Sequence, residues 1–231
     1  MSHDLITATY NRLWQEAIKA KAFNVGTDLL NQQVDSKRAI SLICRPSQAV
    51  QQAITDFLKQ AYQLEPEQYY YQSTEFHTTI LSIISCASHI DTSQLNYTPY
   101  IEAIEEAVRT IPSFQIRYQG ITASRDGVMI QGFPDDSTLA LLRDSIRKNI
   151  KEAEVINTLD QRYKAHTAHI TCLRFQQSYL KNRQDFFKFL EASRSLSFGT
   201  SKISELELVR NNWFMQQDQT EQIATVPLLS T

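Results

Sequence analysis

Two short stretches of this chain pair an imidazole with a hydroxyl at the same spacing. His77-Thr78-Thr79-Ile80 and His169-Ile170-Thr171-Cys172 both read histidine, any residue, threonine, apolar residue. Each lies in a run rich in Ile, Thr, Phe and Leu, residues 75–85 and 163–175, a composition that favours β-strand. Side chains alternate along a strand, so His77 shares a face with Thr79, and His169 with Thr171. Two such strands facing each other place two imidazoles and two hydroxyls around one space. Imidazoles titrate near neutral pH, so one neutral and one protonated ring can take a proton from a nucleophile and deliver one to a leaving alkoxide. Hydroxyls on the same faces can donate hydrogen bonds to an oxygen on which charge gathers. This is equipment for paired acid–base catalysis, with imidazolium supplying the positive charge. The other histidines, His3, His89 and His166, lack a threonine two places on.

On these motifs the sequence resembles the 2H phosphoesterase superfamily, and within it the bacterial 2′–5′ RNA ligase and cyclic phosphodiesterase-like branch. That family carries two copies of His-x-Thr/Ser-hydrophobic, one per half of the chain. The matching positions here are His77, Thr79 and Ile80, then His169, Thr171 and Cys172. The family's second motif often continues to an arginine, where Arg174 stands. Cys172 replaces a larger aliphatic residue, and Thr167-Ala168 stands where many relatives have a proline before the histidine. The resemblance runs from about residue 38 to the end of the sequence. It implies a bilobed α+β fold: two pseudo-equivalent, mainly antiparallel sheets with outer helices, the motif strands facing across a central cleft. It implies His77 and His169 as catalytic residues, Thr79, Thr171 and Arg174 as phosphate-binding residues, and neither metal nor cofactor.

Arg174 is the least secure of these. On a regular strand it points away from His169, and a bulge is needed to bring it into the cleft. A metal alternative, zinc held by His77, His166, His169 and Cys172, meets the objection that His169 and Cys172 diverge on a strand.

The elements around the motifs repeat in order. An apolar face at Tyr10, Leu13, Trp14, Ala17 and Ile18 predicts a helix over 5–21 that packs on the core, or else docks a partner or covers the cleft. Residues 23–37, with Gly26, read as a loop. A strand at 38–44 and a helix from Ser47 to about residue 64 precede the first motif strand; Ser47 is its candidate N-cap. Tyr69-Tyr70-Tyr71 leads into that strand and reads as packing at a lobe edge, with base stacking as the sharper possibility. The polar loop 86–97 holds His89. Thr98 and Pro99 open a helix. Strands at 114–121 and 127–133 form a hairpin, followed by a helix opened by Asp135, Asp136 and Ser137. Its apolar face is Leu139, Leu142, Ile146 and Ile150. Its basic residues Arg143, Arg147, Lys148 and Lys151 read as a solvated face, or else a phosphate track. After the second motif strand come a helix over 178–192, with Tyr179, Phe186, Phe187 and Leu190 inward, and a hairpin of 203–210 with 222–228. Trp213 and Phe214 near its turn read as lobe packing, or else as rim aromatics. Residues 1–37 thus form a helical extension and 38–231 the bilobed domain.

Composition bounds the function. With 42% hydrophobic residues the chain can bury a sizeable core, and a net charge of −2 supplies no global basic field for gripping duplex DNA. A nucleotide or RNA end needs only a local positive pocket. Three cysteines with no CxxC spacing read as reduced thiols of a cytoplasmic protein. No apolar run approaches the roughly 18 residues that span a bilayer. The expected activity is metal-independent hydrolysis of a cyclic (2′,3′-cyclic) or 2′-linked phosphodiester of a nucleotide or RNA end. The alternative is a catalytically quiet nucleotide-binding module with the same cleft. A monomer is the expected state.

Overall fold

The two motif strands are neighbours in the sheet. The computed structural model describes residues 3–25, 38–86, 90–161 and 164–230. Among these, nine strands and five α-helices run in the order α1 (His3–Lys19), β1 (Ala39–Cys44), α2 (Gln48–Leu64), β2 (Tyr69–Tyr70), β3 (Thr78–Ile84), α3 (Thr98–Val108), β4 (Phe114–Ala123), β5 (Gly127–Pro134), α4 (Thr138–Glu152), β6 (Ile170–Arg174), α5 (Arg183–Ala192), β7 (Ser197–Ile203), β8 (Glu205–Asn211) and β9 (Thr220–Pro227). His89 and most of the expected loop at 23–37 lie outside the described residues.

The expectation of two sheets is corrected. The strands form one antiparallel path, β7-β4-β5-β6-β3-β1-β8-β9, with β2 added beside β6. The halves survive as a symmetry of order. Each has its motif strand innermost, β6-β5-β4-β7 on one side and β3-β1-β8-β9 on the other. They join by one paired position, Thr78 opposite Ile170.

The path must curl. Ser204 alone links β7, first in the path, to β8, seventh. Two Cα steps span at most about 7 Å, so the ends are drawn together. Contact at the back agrees: the Ser47 backbone N–H, between β1 and α2, donates to Ser201 Oγ of β7 at 2.9 Å. A curled sheet leaves a concave face, and the motif strands form its middle.

The helix α1 covers the β4–β5 hairpin. Its Tyr10 and Trp14 are buried, and the Tyr10 hydroxyl donates to the Gly132 carbonyl at 3.2 Å. Ile18 is half exposed rather than inward. The strand β7 has no counterpart among the sequence expectations because it is polar and holds Gly199. It is an edge strand with outward polar residues, where such composition is tolerated. The last helix starts at Arg183, not 178. The approach to it is tied down instead: the Asn182 backbone N–H donates to the Glu65 carboxylate at 2.5 Å, and Lys181 pairs with Glu67. Tyr179 consequently faces solvent. No helix among the described residues is long and apolar enough to cross a membrane, and all three cysteines are free and buried.

Candidate active site

His77, Thr79, His169, Thr171 and Arg174 line one open cleft of about 200 Å³. Four of them follow from alternation, because the residues between them, Thr78 and Ile170, turn into the core. Arg174 does not, and the pairing of β6 explains it. Thr171 opposes Met129 and Leu173 opposes Val128, so Cys172 is an extra residue on β6. This bulge shifts the phase, and the next side chain to face the cleft is Arg174 instead of Leu173.

The first motif strand does the same. Thr79 opposes Ile43 and Leu81 opposes Leu42, leaving Ile80 extra. From Thr78 and from Ile170 the two strands have one pattern: buried, half-buried, buried, buried, half-buried. Ser82 is therefore the counterpart of Arg174. The halves match in backbone and differ in charge at this position. Gly127 makes room on the β6 side. A Cβ there would sit 2.0 Å from the Leu173 carbonyl oxygen.

The two imidazoles are held differently. His77 Nδ1 is 2.7 Å from the Glu75 carbonyl oxygen. A carbonyl only accepts, so Nδ1 carries the proton and Nε2 of the neutral ring presents its lone pair. The backbone before His77 is fixed by Arg45, which donates to the Thr74 carbonyl at 2.9 Å and pairs with Glu207 at 3.0 Å. The buried Glu75 carboxylate accepts from the Gln72 N–H at 2.8 Å and the Tyr69 hydroxyl at 3.0 Å. His169 Nδ1 instead lies 2.9 Å from Thr167 Oγ1, a hydroxyl that can donate or accept, so either tautomer is satisfied.

Burial lowers both histidines from 6.5 to about 4. For His169 the Arg174 charge is the next cause, followed by His77 and Arg143; for His77, Arg45 and Arg174 add to burial against the opposing pull of the Glu75 carbonyl. Both shifts favour the neutral ring in the ligand-free protein, and an anion beside either ring would favour its protonation.

Arg174 has its Nε–H in the interior with no hydrogen-bond partner among the described residues, and its guanidinium lies beside the Tyr71 hydroxyl. An interior donor without an acceptor is costly.

Of the three tyrosines, Tyr71 lines the cleft, whereas Tyr69 bonds Glu75 and Tyr70 donates to the Glu65 carbonyl at 2.9 Å. Trp213 lines the cleft and is 42% exposed, whereas Phe214 and Met215, which also line it, are buried. Packing thus describes Phe214 but not Trp213.

The basic face of α4 is corrected as well. Arg143 and Arg147 are buried, and Arg147 pairs with Asp160 at 2.8 Å. Lys148 and Lys151 alone keep the solvated character. His166 lines a separate cavity beside the start of α4, with a buried Nδ1 lacking a partner. The Cys172 thiol turns away from the cleft towards the Val128 carbonyl at 3.4 Å. The four ligands of the zinc alternative therefore do not converge. Among the described residues no group of three or more His, Cys, Asp or Glu is placed to hold a metal ion.

A family model described as the AKAP7 2′5′ RNA ligase-like domain matches residues 39–228. A search of curated proteins finds no match. Among solved structures, TT0787 of Thermus thermophilus superposes with a TM-score of 0.57 at 14% identity, covering 82% of this chain and 97% of that one. E. coli LigT complexed with ATP superposes at 0.53 and 11% identity, over 83% and 98% of the two chains. LigT was also solved with 3′-AMP and with phosphate. ATU0111 from Agrobacterium tumefaciens aligns over 99% of both chains at 0.54 and 12% identity. At these identities the likeness is one of fold.

Proposed function

The chain belongs to the 2′5′ RNA ligase-like family of 2H phosphoesterases, and from that premise we propose that it is a metal-independent phosphoesterase that hydrolyses a cyclic or 2′-linked phosphodiester of a nucleotide or RNA end. A 2′,3′-cyclic phosphate is the preferred substrate on this reading. The observation that carries it is the convergence of two histidines, two threonines and Arg174 on one cleft, with the His77 tautomer leaving Nε2 as an acceptor.

In the proposed reaction His77 Nε2 takes a proton from water as the water oxygen bonds to phosphorus. The bond from phosphorus to one ribose oxygen breaks. His169, protonated as the anionic substrate binds, gives its proton to that oxygen. Thr79, Thr171 and Arg174 hold the non-bridging oxygens. Trp213 and Tyr71 offer rings against which a base or ribose can rest. The solved LigT complexes with phosphate and 3′-AMP support a phosphate-centred site in this fold. One chain supplies every group named, so a monomer suffices. The free, buried cysteines fit a reducing, cytoplasmic setting. Residues 1–37 are read as an extension of the 38–231 domain.

The test is turnover of nucleoside 2′,3′-cyclic phosphates in EDTA. Hydrolysis is expected. Full dependence on added metal would overturn the mechanism, and nucleotide binding with no turnover would leave the quiet binding module.

A further inference from the structure

Arg143 belongs to α4, yet its guanidinium ends on β3 and on the segment that leads into β6. Nε donates to the Ile80 carbonyl at 2.8 Å, and Nη2 donates to the carbonyls of Thr79 at 3.0 Å and Thr167 at 2.8 Å. The side chain is only 4% exposed. Its acceptors are not arbitrary. Ile80 is the bulged residue of β3, and a bulge disrupts the ladder where it sits. A buried carbonyl at such a place needs another donor. Thr167 is the residue whose hydroxyl contacts His169. One planar fork thus grips the turn of strand behind Thr79 and the segment that orients His169.

Further along, β2 ties the first half to β6, with Tyr69 and Tyr70 opposite Arg174 and Leu173 and the Tyr71 N–H donating to the Cys172 carbonyl at 3.2 Å; between β3 and β6 themselves the bonds are few among the described residues. The two strands share one paired position, Thr78 with Ile170, backed by a 3.4 Å bond from Thr78 Oγ1 to the Ala168 carbonyl. We infer that Arg143 is a positioning residue: it sets the spacing between the two histidine strands by clamping their backbones from behind the cleft. The inference rests on the proposed two-histidine reaction for its kinetic consequence, but not for its structural one. A lysine ammonium on a flexible stem cannot reproduce a fork shared among three carbonyls.

The experiment compares Arg143→Lys and Arg143→Met with Ser145→Ala. Ser145 is on the same helix, and its hydroxyl donates to the Ala107 carbonyl of α3 at 2.8 Å, away from the cleft. Two readouts are taken: steady-state kinetics on a nucleoside 2′,3′-cyclic phosphate, and amide hydrogen exchange across residues 77–84 and 164–174. Arg143→Lys is expected to fold, to lose about 10- to 100-fold in kcat with KM nearly unchanged, and to exchange faster in both segments. Arg143→Met is expected to lose more on both readouts. Ser145→Ala is expected to loosen α3 and α4 and leave kcat and both segments alone. Unchanged exchange in the motif segments of Arg143→Lys, or a kcat loss no larger than that of Ser145→Ala, would overturn the clamp. If the wild type turns over no cyclic phosphate, the functional reading fails alone, and the exchange data still decide the clamp.

Discussion

His77 Nδ1 lies 2.7 Å from the carbonyl oxygen of Glu75, two residues before it in the chain. That short local bond chooses the tautomer of a neutral ring and turns a bare Nε2 into the acceptor available for chemistry. Nothing equally decisive acts on His169, whose neighbour at 2.9 Å is the Thr167 hydroxyl. The pseudo-symmetric halves thus hold chemically different histidines. This asymmetry is what an acid–base pair needs.

The same burial makes stability depend on pH. Both imidazoles are lowered from 6.5 to about 4, so between those values the unfolded chain binds more protons than the folded one. Stability therefore falls as pH drops through that window, and above about 6.5 neither ring contributes a slope. The urea midpoint should hold steady from about pH 7 to 8 and decline from about 6.5 towards 4. His77→Ala and His169→Ala should each make the decline shallower. Equal steepness in wild type and variants would contradict the lowered titration of the two rings.

Binding of sulfate, an anion with no proton of its own to release at neutral pH, should take up a proton. Arg174 and two neutral rings meet the anion, and its charge raises the histidine nearest to it. Calorimetry in buffers of different ionisation enthalpy measures the uptake directly. A net uptake is expected in wild type and a reduced one in His169→Ala. No buffer dependence in wild type would speak against ligand-linked protonation.

Arg174→Gln removes a guanidinium whose Nε–H has no partner among the described residues and whose neighbour is the Tyr71 hydroxyl. A charge-assisted contact to phosphate is worth roughly 1.5–3 kcal/mol. The expected result is a loss of kcat/KM on the order of tenfold to a hundredfold, with weaker phosphate binding. Arg174→Lys should recover part of it. If Arg174→Gln keeps wild-type kinetics and phosphate affinity, the arginine is structural.

Gly127→Ala tests whether the β6 bulge matters. The added Cβ would meet the Leu173 carbonyl oxygen at 2.0 Å, backbone that cannot swing aside. The strand β6 must shift, and Arg174 with it. Loss of stability by about 1–3 kcal/mol and a fall in kcat/KM are expected. Wild-type melting and kinetics would mean that the two strands separate there without cost.

The pairing of His77 with Thr79 and of His169 with Thr171 is legible in the sequence because it depends on the two-residue period of a strand alone. Arg174 is legible only as a condition, since the bulge at Cys172 is a matter of how β5 and β6 meet. Arg143 and Arg147 mislead for a related reason. Charge alone assigns them to solvent, but they flank the apolar stripe of α4, and their donors are used up inside the protein. Trp213 and Tyr71 cannot be sorted from their aromatic neighbours, because which ring faces the cleft is decided by loops without a period. The single curled sheet is hidden for the same kind of reason. A one-residue link between β7 and β8 says that two strands are close, and only their partners reveal that they stand far apart along the path.

The most direct test of two-histidine catalysis is kcat on a nucleoside 2′,3′-cyclic phosphate in EDTA for wild type, His77→Ala and His169→Ala, with folding checked for each. Paired acid–base roles predict turnover by wild type and a loss of about 100-fold or more in each variant. Wild-type rates retained by either folded variant would contradict them.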